Sequence, residues 1–180
     1  MTQRPDFDVI VAGAGPGGAA CAYFLVQAGL SVLVLEKDRL PRYKACGGAI
    51  PRRTLERFPF AFDEVVRAAP TAVRISFPGL PALDAALPGE PVVMVVRSEF
   101  DGFLLARSGA EVLDGTAVSD VSETAGVVQV RANGQQVTAR YLVGADGAIS
   151  SVARALRLRQ NPRLGGVIEA AVPLLSLIHI

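Results

Sequence analysis

The sequence has little of what several common types of functional site require. Histidine occurs once, at His179, which disfavours a histidine-based catalytic triad and a histidine-rich metal site. The two cysteines, Cys21 and Cys46, form no C-x-x-C pair and do not indicate a disulfide scaffold, so a reducing cytosol is the default location. The 18 basic and 17 acidic residues are mixed along the chain, which gives no charged surface for nucleic acid or anionic lipid.

One stretch lacks charge altogether, from Val9 to Leu35, and by length it could span a bilayer. Its middle reads AGAGPGGAA, however, and this glycine and proline content favours a turn. We predict a buried strand, then a helix with Pro16 in its first turn and Gly29 as its stop, then a second buried strand ending near Glu36. Together these form a βαβ unit of a soluble protein.

The middle of the chain has a different texture. Residues 37–51 predict a loop, and RRTLERF predicts a short helix. Residues 59–91 contain many prolines and short apolar runs, which indicates irregular β structure. RSEFDGFLLARSG predicts a helix, in which Ser98 and Asp101 fit a capping pattern.

The last third predicts strands and one more helix. AEVLDGTAVSDVSE favours two strands, and the alternating residues around Asn133 and Gly134 predict a hairpin with a two-residue turn. SSVARALRL predicts a short helix capped by Ser150 or Ser151. LGGVIEAAVPL predicts the start of another strand.

The strongest chemical signal is GAGPGG at residues 13–18, which fits G-x-G-x-x-G between a strand and a helix. The first glycine allows a tight turn, the second lets the backbone approach a pyrophosphate, and the third lets the helix pack closely. The helix N-terminus adds free N–H groups and partial positive charge. Glu36 can accept both hydroxyls of an adenosine ribose and would repel a 2′-phosphate, which favours FAD or NAD over NADP. The predicted cofactor-binding residues here are Gly13, Gly15, Pro16, Gly17, Gly18, Glu36 and Lys37.

A second glycine motif, GADG at residues 144–147, favours FAD over NAD. It lies between a strand and a helix, where backbone amides are again available to phosphate. Because Asp146 would repel a phosphate, we expect its carboxylate to accept hydrogen bonds from the ribityl hydroxyls, with Gly147 beside it. Arg97, at another strand-to-helix junction, is expected to reach a pyrophosphate or the flavin edge. The alternative is a surface arginine, with Asp101 acting only as a cap.

These motifs together resemble a large flavoprotein group that includes the aromatic hydroxylases. They are GAGPGG with Glu36, R-x-x-F-D-x-x-L starting at Arg97, and GADGAISSVAR. The motif K-x-C-G-G-A-I, from Lys44 to Ile50, is similar to the geranylgeranyl reductase family. The resemblance covers residues 7–174 and implies an α/β fold. It implies a Rossmann-like FAD-binding domain with a parallel sheet and a β-hairpin crossover, plus part of a substrate-domain β-sheet.

The resemblance also implies a discontinuous domain arrangement. We expect the two parts of the FAD-binding domain at residues 1–58 and 97–160, separated by a partial substrate-domain excursion at 59–96. Residues 161–174 would begin a truncated substrate domain. The last residues, LSLIHI at 175–180, are similar to an in-frame translation of a sequencing adaptor, so we expect this segment to be an artefact.

The cysteine on the glycine-rich loop gains a role from this resemblance. The loop is implied to pass near the isoalloxazine ring, with Cys46, Gly47 and Gly48 close to the flavin. Cys46 would tune the flavin, shield it, or donate a proton to a reduced double bond, as a tentative catalytic residue. Its alternative is a small packing residue. Arg42 and Lys44 are interpreted as contacts to cofactor phosphates or a lipid head group, or as solvated loop residues.

The implied activity is that of an FAD-dependent oxidoreductase that passes hydride from reduced flavin to a double bond of a prenyl chain. The electron donor would be NAD(P)H or ferredoxin, and the substrate an isoprenoid or another apolar small molecule. A flavin-dependent monooxygenase or halogenase is one alternative, and an FAD-binding fragment without turnover is another. We expect a cytoplasmic protein without metal or nucleic acid, whose full-length parent contacts a membrane peripherally.

Overall fold

Residues 4–158 and 165–166 are described by the structure, a computed structural model. The strands are β1 (Phe7–Ala12), β2 (Val32–Leu35), β3 (Ala49–Pro51), β4 (Val66–Ala68), β5 (Ala72–Ile75), β6 (Leu83–Ala86), β7 (Val92–Val95), β8 (Glu111–Leu113), β9 (Val118–Thr124), β10 (Val127–Ala132) and β11 (Gln135–Gly144). The helices are α1 (Pro16–Gln27), α2 (Arg52–Leu55), α3 (Arg97–Ser108) and α4 (Ser151–Ala155).

The chain divides into two units. Among the described residues, unit 1 comprises residues 4–42 and 98–158, and unit 2 comprises residues 43–97 and 165–166. The first division therefore falls earlier than the boundary expected after residue 58. The reason is that β3 pairs antiparallel with β7, so the chain belongs to the second unit from Tyr43 onward, including the loop that carries Cys46.

Unit 1 is built on a six-stranded sheet with the order β8-β2-β1-β11-β10-β9. Strands β8, β2, β1 and β11 run parallel to one another, and β11, β10 and β9 form an antiparallel meander. Helix α1 connects β1 to β2 and contacts both strands, as a βαβ crossover does. This confirms the α/β class and the Rossmann-like arrangement with a hairpin.

The centre of this sheet is its most buried part. All four residues of β2 and the last four of β1 are buried, which is typical of parallel strands covered on both faces. One core cluster runs across the sheet from the parallel into the antiparallel strands. Its buried members are Ile10, Leu33, Leu35, Val130, Ala132 and Ala139.

The predicted hairpin is confirmed between β10 and β11. Its two turn residues, Asn133 and Gly134, have φ values of +49° and +80°. Positive φ at both positions is the type I′ requirement that makes Asn-Gly the preferred pair. The turn sets the register that pairs Ala132 with Gln135 and Val128 with Ala139.

Of three helix ends predicted from local sequence, two are confirmed and one is wrong. Gly29 has φ +81° and its N–H donates to the carbonyl of Val26, so it ends α1 as expected. Ser150 is the N-cap of α4, and its hydroxyl accepts from the N–H of Ala153 at 2.9 Å. Ser98 is not an N-cap, because α3 begins at Arg97 and places Ser98 within the first turn.

Unit 2 contains a three-stranded sheet with the order β3-β7-β4 and a separate β5-β6 hairpin. The central strand β7 supplies buried Val93 and Val95, and Phe62 and Val65 are buried in the same unit. The rings of Phe58, Phe60 and Phe62 lie 5.1–5.5 Å apart, centroid to centroid. Short strands joined by long loops match the irregular β structure expected for this region.

No helix in the described part of the chain is long and apolar enough to cross a membrane. The uncharged stretch between Val9 and Leu35 instead folds as β1, α1 and β2, as predicted. The strand expected within residues 165–174 and the adaptor-like tail at 175–180 lie outside the described residues, apart from Gly165 and Gly166.

Candidate cofactor-binding site

The carboxyl ends of three parallel strands bring the two glycine motifs together. In the register of the sheet, Ala12 of β1 lies between Leu35 of β2 and Gly144 of β11. The next backbone amides continue this pairing. Gly13 N donates to Leu35 O at 2.7 Å, and Ala145 N donates to Ala12 O at 2.8 Å. In open parallel sheets this edge is where ligands bind.

Two glycines of the glycine-rich turn, which we define as residues 13–18, occupy positions with no room for a side chain. Gly13 has φ +103°, and a Cβ there would collide with the carbonyl oxygen of Ala145. A Cβ on Gly18 would collide with the carbonyl oxygen of Gly13 and approach the Ala145 side chain to 3.4 Å. The protein's own packing therefore requires glycine at both positions.

Gly15 and Gly17 border open space instead. Among the described residues, a Cβ on Gly15 would have Nη2 of Arg42 as its neighbour, at 3.6 Å, and a Cβ on Gly17 would meet nothing within 4 Å. Gly15 is the N-cap of α1, with Pro16 next to it, and it contributes no side-chain hydrogen bond to the first amides of the helix. Open space and uncapped helix amides are what an anionic group needs.

Glu36 follows β2 and is only 4% exposed. Its carboxylate accepts hydrogen bonds from the amide of Ala14 at 2.7 Å and from the amide of Asp38 at 3.1 Å. It is thereby fixed at the glycine-rich turn. A carboxylate accepts about four hydrogen bonds, so these two leave capacity for a ribose hydroxyl. Lys37, the next residue, is exposed.

Arg42 lies between two buried carboxylates. Its Nε is 3.6 Å from Glu36 Oε2, and its Nη2 is 3.3 Å from Asp101 Oδ2. Its third nitrogen, Nη1, is buried and has no hydrogen-bond partner among the described residues. A buried guanidinium N–H normally finds an acceptor. The same guanidinium borders Gly15 of the glycine-rich turn, so its unpartnered N–H fits an oxygen of a bound pyrophosphate.

Asp146 in the second motif is engaged with its own helix. Its carboxylate accepts from the hydroxyl of Ser150 at 2.5 Å and from the amides of Ser151 and Val152 at 2.6 and 3.2 Å. These three bonds stabilise the N-terminus of α4, a task the sequence did not assign to Asp146. They leave room for about one further hydrogen bond. Gly147, the next residue, has φ +87° and is exposed.

The remaining predicted residues belong to unit 2. Cys46 is half-buried and forms no disulfide with a described residue, and its sulfur accepts from the amide of Gly48 at 3.5 Å. Gly47 is exposed, whereas Gly48 is buried with φ +74°, and a Cβ there would collide with the carbonyl oxygen of Val95. Arg97 is half-buried at the start of α3.

Sequence reasoning did not commit Arg42 or Asp101 to the site. Arg42 was open between a cofactor contact and a solvated side chain, and Asp101 was open between a function and a cap. A signal for Asp101 did exist. It stands three and four positions before Leu104 and Leu105, and all three side chains are buried. A carboxylate on the apolar stripe of a helix predicts a buried partner.

Comparison with known proteins agrees with this geometry. A family model described as an FAD binding domain matches residues 6–172. Geranylgeranyl diphosphate reductase of Rhodobacter capsulatus is 36% identical over 154 residues. The alignment covers 81% of this chain and 39% of the reductase.

Two solved structures share the fold. Aklavinone-11 hydroxylase, solved as a ternary complex with FAD and aklavinone, superposes with a TM-score of 0.72 and is 26% identical, covering 87% of this chain and 36% of the hydroxylase. A geranylgeranyl bacteriochlorophyll reductase-like protein from Thermoplasma acidophilum superposes with a TM-score of 0.67 and is 25% identical, covering 79% and 39%. The chain spans about two fifths of each of these three proteins.

Proposed function

Because this chain belongs to the FAD binding domain family, we propose that it binds FAD at the carboxyl ends of β1, β2 and β11. We also propose that the whole protein is an FAD-dependent oxidoreductase that reduces carbon–carbon double bonds of a prenyl chain. One observation carries the binding proposal. The buried Nη1 of Arg42 has no hydrogen-bond partner in the part of the chain that the structure describes, and the same guanidinium borders the open side of Gly15.

Different residues of unit 1 would bind different parts of the cofactor. The pyrophosphate would lie against Gly15, Pro16 and Gly17, where the amides of α1 face open space. Arg42 would donate to one of its oxygens. Glu36 would accept from the adenosine ribose with its remaining lone pairs. The protein thus supplies binding and orientation, and FAD, when bound, supplies the two-electron redox chemistry.

Asp146 and Gly147 would hold the ribityl chain and its phosphate end. The Asp146 carboxylate has one acceptor site left after its three bonds to α4, which suits a single hydroxyl donor. Gly147 adds an exposed backbone without a side chain. Lys37, which is exposed and follows Glu36, would contribute positive charge at the solvent-exposed edge of the cofactor site.

Cys46, Gly47, Gly48 and Arg97 are proposed as the flavin-facing residues. This proposal is supported by the resemblance of their motifs to those of the flavoprotein families named above. It is also supported by the close packing of the Cys46 loop at Gly48, where a side chain would collide with the carbonyl oxygen of Val95. Cys46 is proposed to shield the flavin or to hold the proton delivered to the reduced double bond. NAD(P)H or ferredoxin is the proposed source of electrons.

The proposal of a prenyl substrate rests on the similarity to two proteins. The R. capsulatus relative is a geranylgeranyl diphosphate reductase, and the T. acidophilum neighbour is geranylgeranyl bacteriochlorophyll reductase-like. An isoprenoid would also explain a peripheral membrane contact of an otherwise cytoplasmic protein, because long prenyl substrates partition into bilayers.

Hydroxylation of an apolar substrate is the second candidate, favoured by the likeness to aklavinone-11 hydroxylase. The product distinguishes the two. The whole protein, loaded with FAD and a chemical reductant, is incubated with geranylgeranyl diphosphate with and without oxygen. A reductase adds hydrogen without needing oxygen, whereas a monooxygenase adds an oxygen atom only when oxygen is present. FAD binding without either product overturns the proposal that the whole protein acts on a prenyl chain.

A further inference from the structure

We propose that Asp101 is a positioning residue for the cofactor site. Its carboxylate holds the Arg42 guanidinium beside Gly15 of the glycine-rich turn, where the guanidinium donates to an oxygen of the FAD pyrophosphate. This inference rests on the proposed FAD binding. It adds a residue from α3, an element that contributes no glycine motif to the site.

The geometry of the pair supports a positioning role. Asp101 is 2% exposed, and its Oδ2 is 3.3 Å from Nη2 of Arg42. Glu36 approaches the same guanidinium from its Nε side at 3.6 Å. Two carboxylates therefore hold two of the three guanidinium nitrogens, and the planar fork leaves Nη1 in a fixed direction. Within residues 4–158 and 165–166, Nη1 is buried and has no hydrogen-bond partner.

The energetics favour a function over simple stability. Taking an arginine and two carboxylates out of water is costly, and buried ion pairs are weak evidence for stability. The three charges sum to one negative charge, which by itself would repel a phosphate. Asp101 beside an anion site can therefore raise the affinity for FAD only if it orients the Arg42 guanidinium better than Arg42 would be oriented without it. Preorganised donors of this kind lower the ordering cost of binding.

A double-mutant cycle tests this assignment. FAD affinity is measured by flavin fluorescence for the wild type, Asp101→Asn, Arg42→Gln and the double variant. Asp101→Asn is expected to weaken FAD binding about tenfold or more, as for loss of a charge-assisted hydrogen bond. The double variant is expected to bind no more weakly than Arg42→Gln, because Asp101 acts through Arg42. The urea unfolding midpoint of each variant is measured alongside, so that a loss of FAD affinity is read only from variants that fold.

Two further measurements exclude a general structural effect. Ser108→Ala removes another buried polar group of α3, whose hydroxyl donates to Leu105 O at 2.6 Å, and it should leave FAD affinity unchanged. Competition by ADP should weaken in Asp101→Asn, whereas competition by adenosine, which has no phosphate, should not.

The outcomes are distinct. Unchanged FAD affinity in Asp101→Asn overturns the positioning role. Tighter binding does so as well, because it makes Asp101 only a repulsive charge. A full additional loss from Asp101→Asn in the Arg42→Gln background shows that Asp101 does not act through Arg42. A wild-type protein that does not bind FAD overturns the proposed function as well, and is thereby separable from the other results.

Discussion

Gly13 lies directly against the backbone of Ala145, so that a Cβ on Gly13 would collide with the Ala145 carbonyl oxygen. This contact joins the turn after β1 to the turn after β11, although the two are far apart in the sequence. It follows from the parallel pairing of the strands, which sets Ala12 beside Gly144. The first glycine of one motif is therefore required by the second motif.

Gly13→Ala should destabilise the fold. An alanine at φ +103° costs roughly 1–3 kcal/mol in backbone strain, and the collision with Ala145 adds to it. Gly17→Ala is the matched control in the same turn, because no described residue lies within 4 Å of its Cβ position. It should change the free energy of unfolding by less than about 1 kcal/mol, in the stabilising direction. Urea unfolding of both variants gives the comparison, and equal stabilities would show that the Ala145 contact is not required.

The fold was largely predictable because its signals are local. β1, α1 and β2 were evident from an apolar run, a glycine turn and a second apolar run, and the hairpin was evident from Asn133-Gly134. The division of the units was less accessible. It depends on the pairing of β3 with β7, two short strands separated by a long proline-containing segment. Pairing over such a distance leaves no local pattern.

Asp6 should contribute to stability in a pH-dependent way. Its carboxylate accepts from the hydroxyl and the amide of Thr138 at 2.7 and 2.8 Å, and these bonds lower the pKa of Asp6 below 3.8. A pKa that is lower in the folded state stabilises the fold above about pH 3.8, and this stabilisation is lost as the pH falls through the folded-state value.

We therefore expect Asp6→Asn to be less stable than the wild type at neutral pH, with the difference shrinking below pH 3.8. Urea unfolding at several pH values measures it. Asp120→Asn, an exposed position on β9 of the same sheet, should change stability by less than about 0.5 kcal/mol. A difference that stays constant down to the most acidic pH would contradict the Thr138 interaction.

Cys46 should be the more reactive thiol, and FAD should protect it. Burial raises the pKa of the Cys21 thiol above its usual value, so Cys21 holds less thiolate at neutral pH and reacts slowly. Alkylation followed by peptide mass spectrometry reads both residues in one experiment. Added FAD should slow modification of Cys46 and leave Cys21 unchanged.

In the whole protein, Cys46→Ala should lower turnover far more than FAD content. If FAD content falls instead, Cys46 is a packing residue.

The candidate site was predicted only in part, since glycine motifs identify turns but not the side chains that meet there. Glu36 was found from its spacing, yet its bond to the Ala14 amide and its proximity to Arg42 required the structure. Arg42 and Asp101 come from a loop and a helix that converge only in the folded chain. Asp146 differs from these residues, because its partner lies nearby in the sequence. Its carboxylate accepts from the amide of Ser151 at the start of α4, and the sequence analysis did not predict this local hydrogen bond.

A comparison of the wild type with Gly15→Val tests whether FAD binds against Gly15. Gly15 has φ −70°, which any residue adopts, and a Cβ there would make only an ordinary contact, 3.6 Å from Arg42. Gly15→Val should therefore leave the fold largely intact while filling the space for the pyrophosphate. We predict that the wild type retains FAD through desalting, seen as flavin absorbance, and that Gly15→Val loses it while unfolding at a similar urea concentration. Equal FAD retention by a folded Gly15→Val protein would contradict the account.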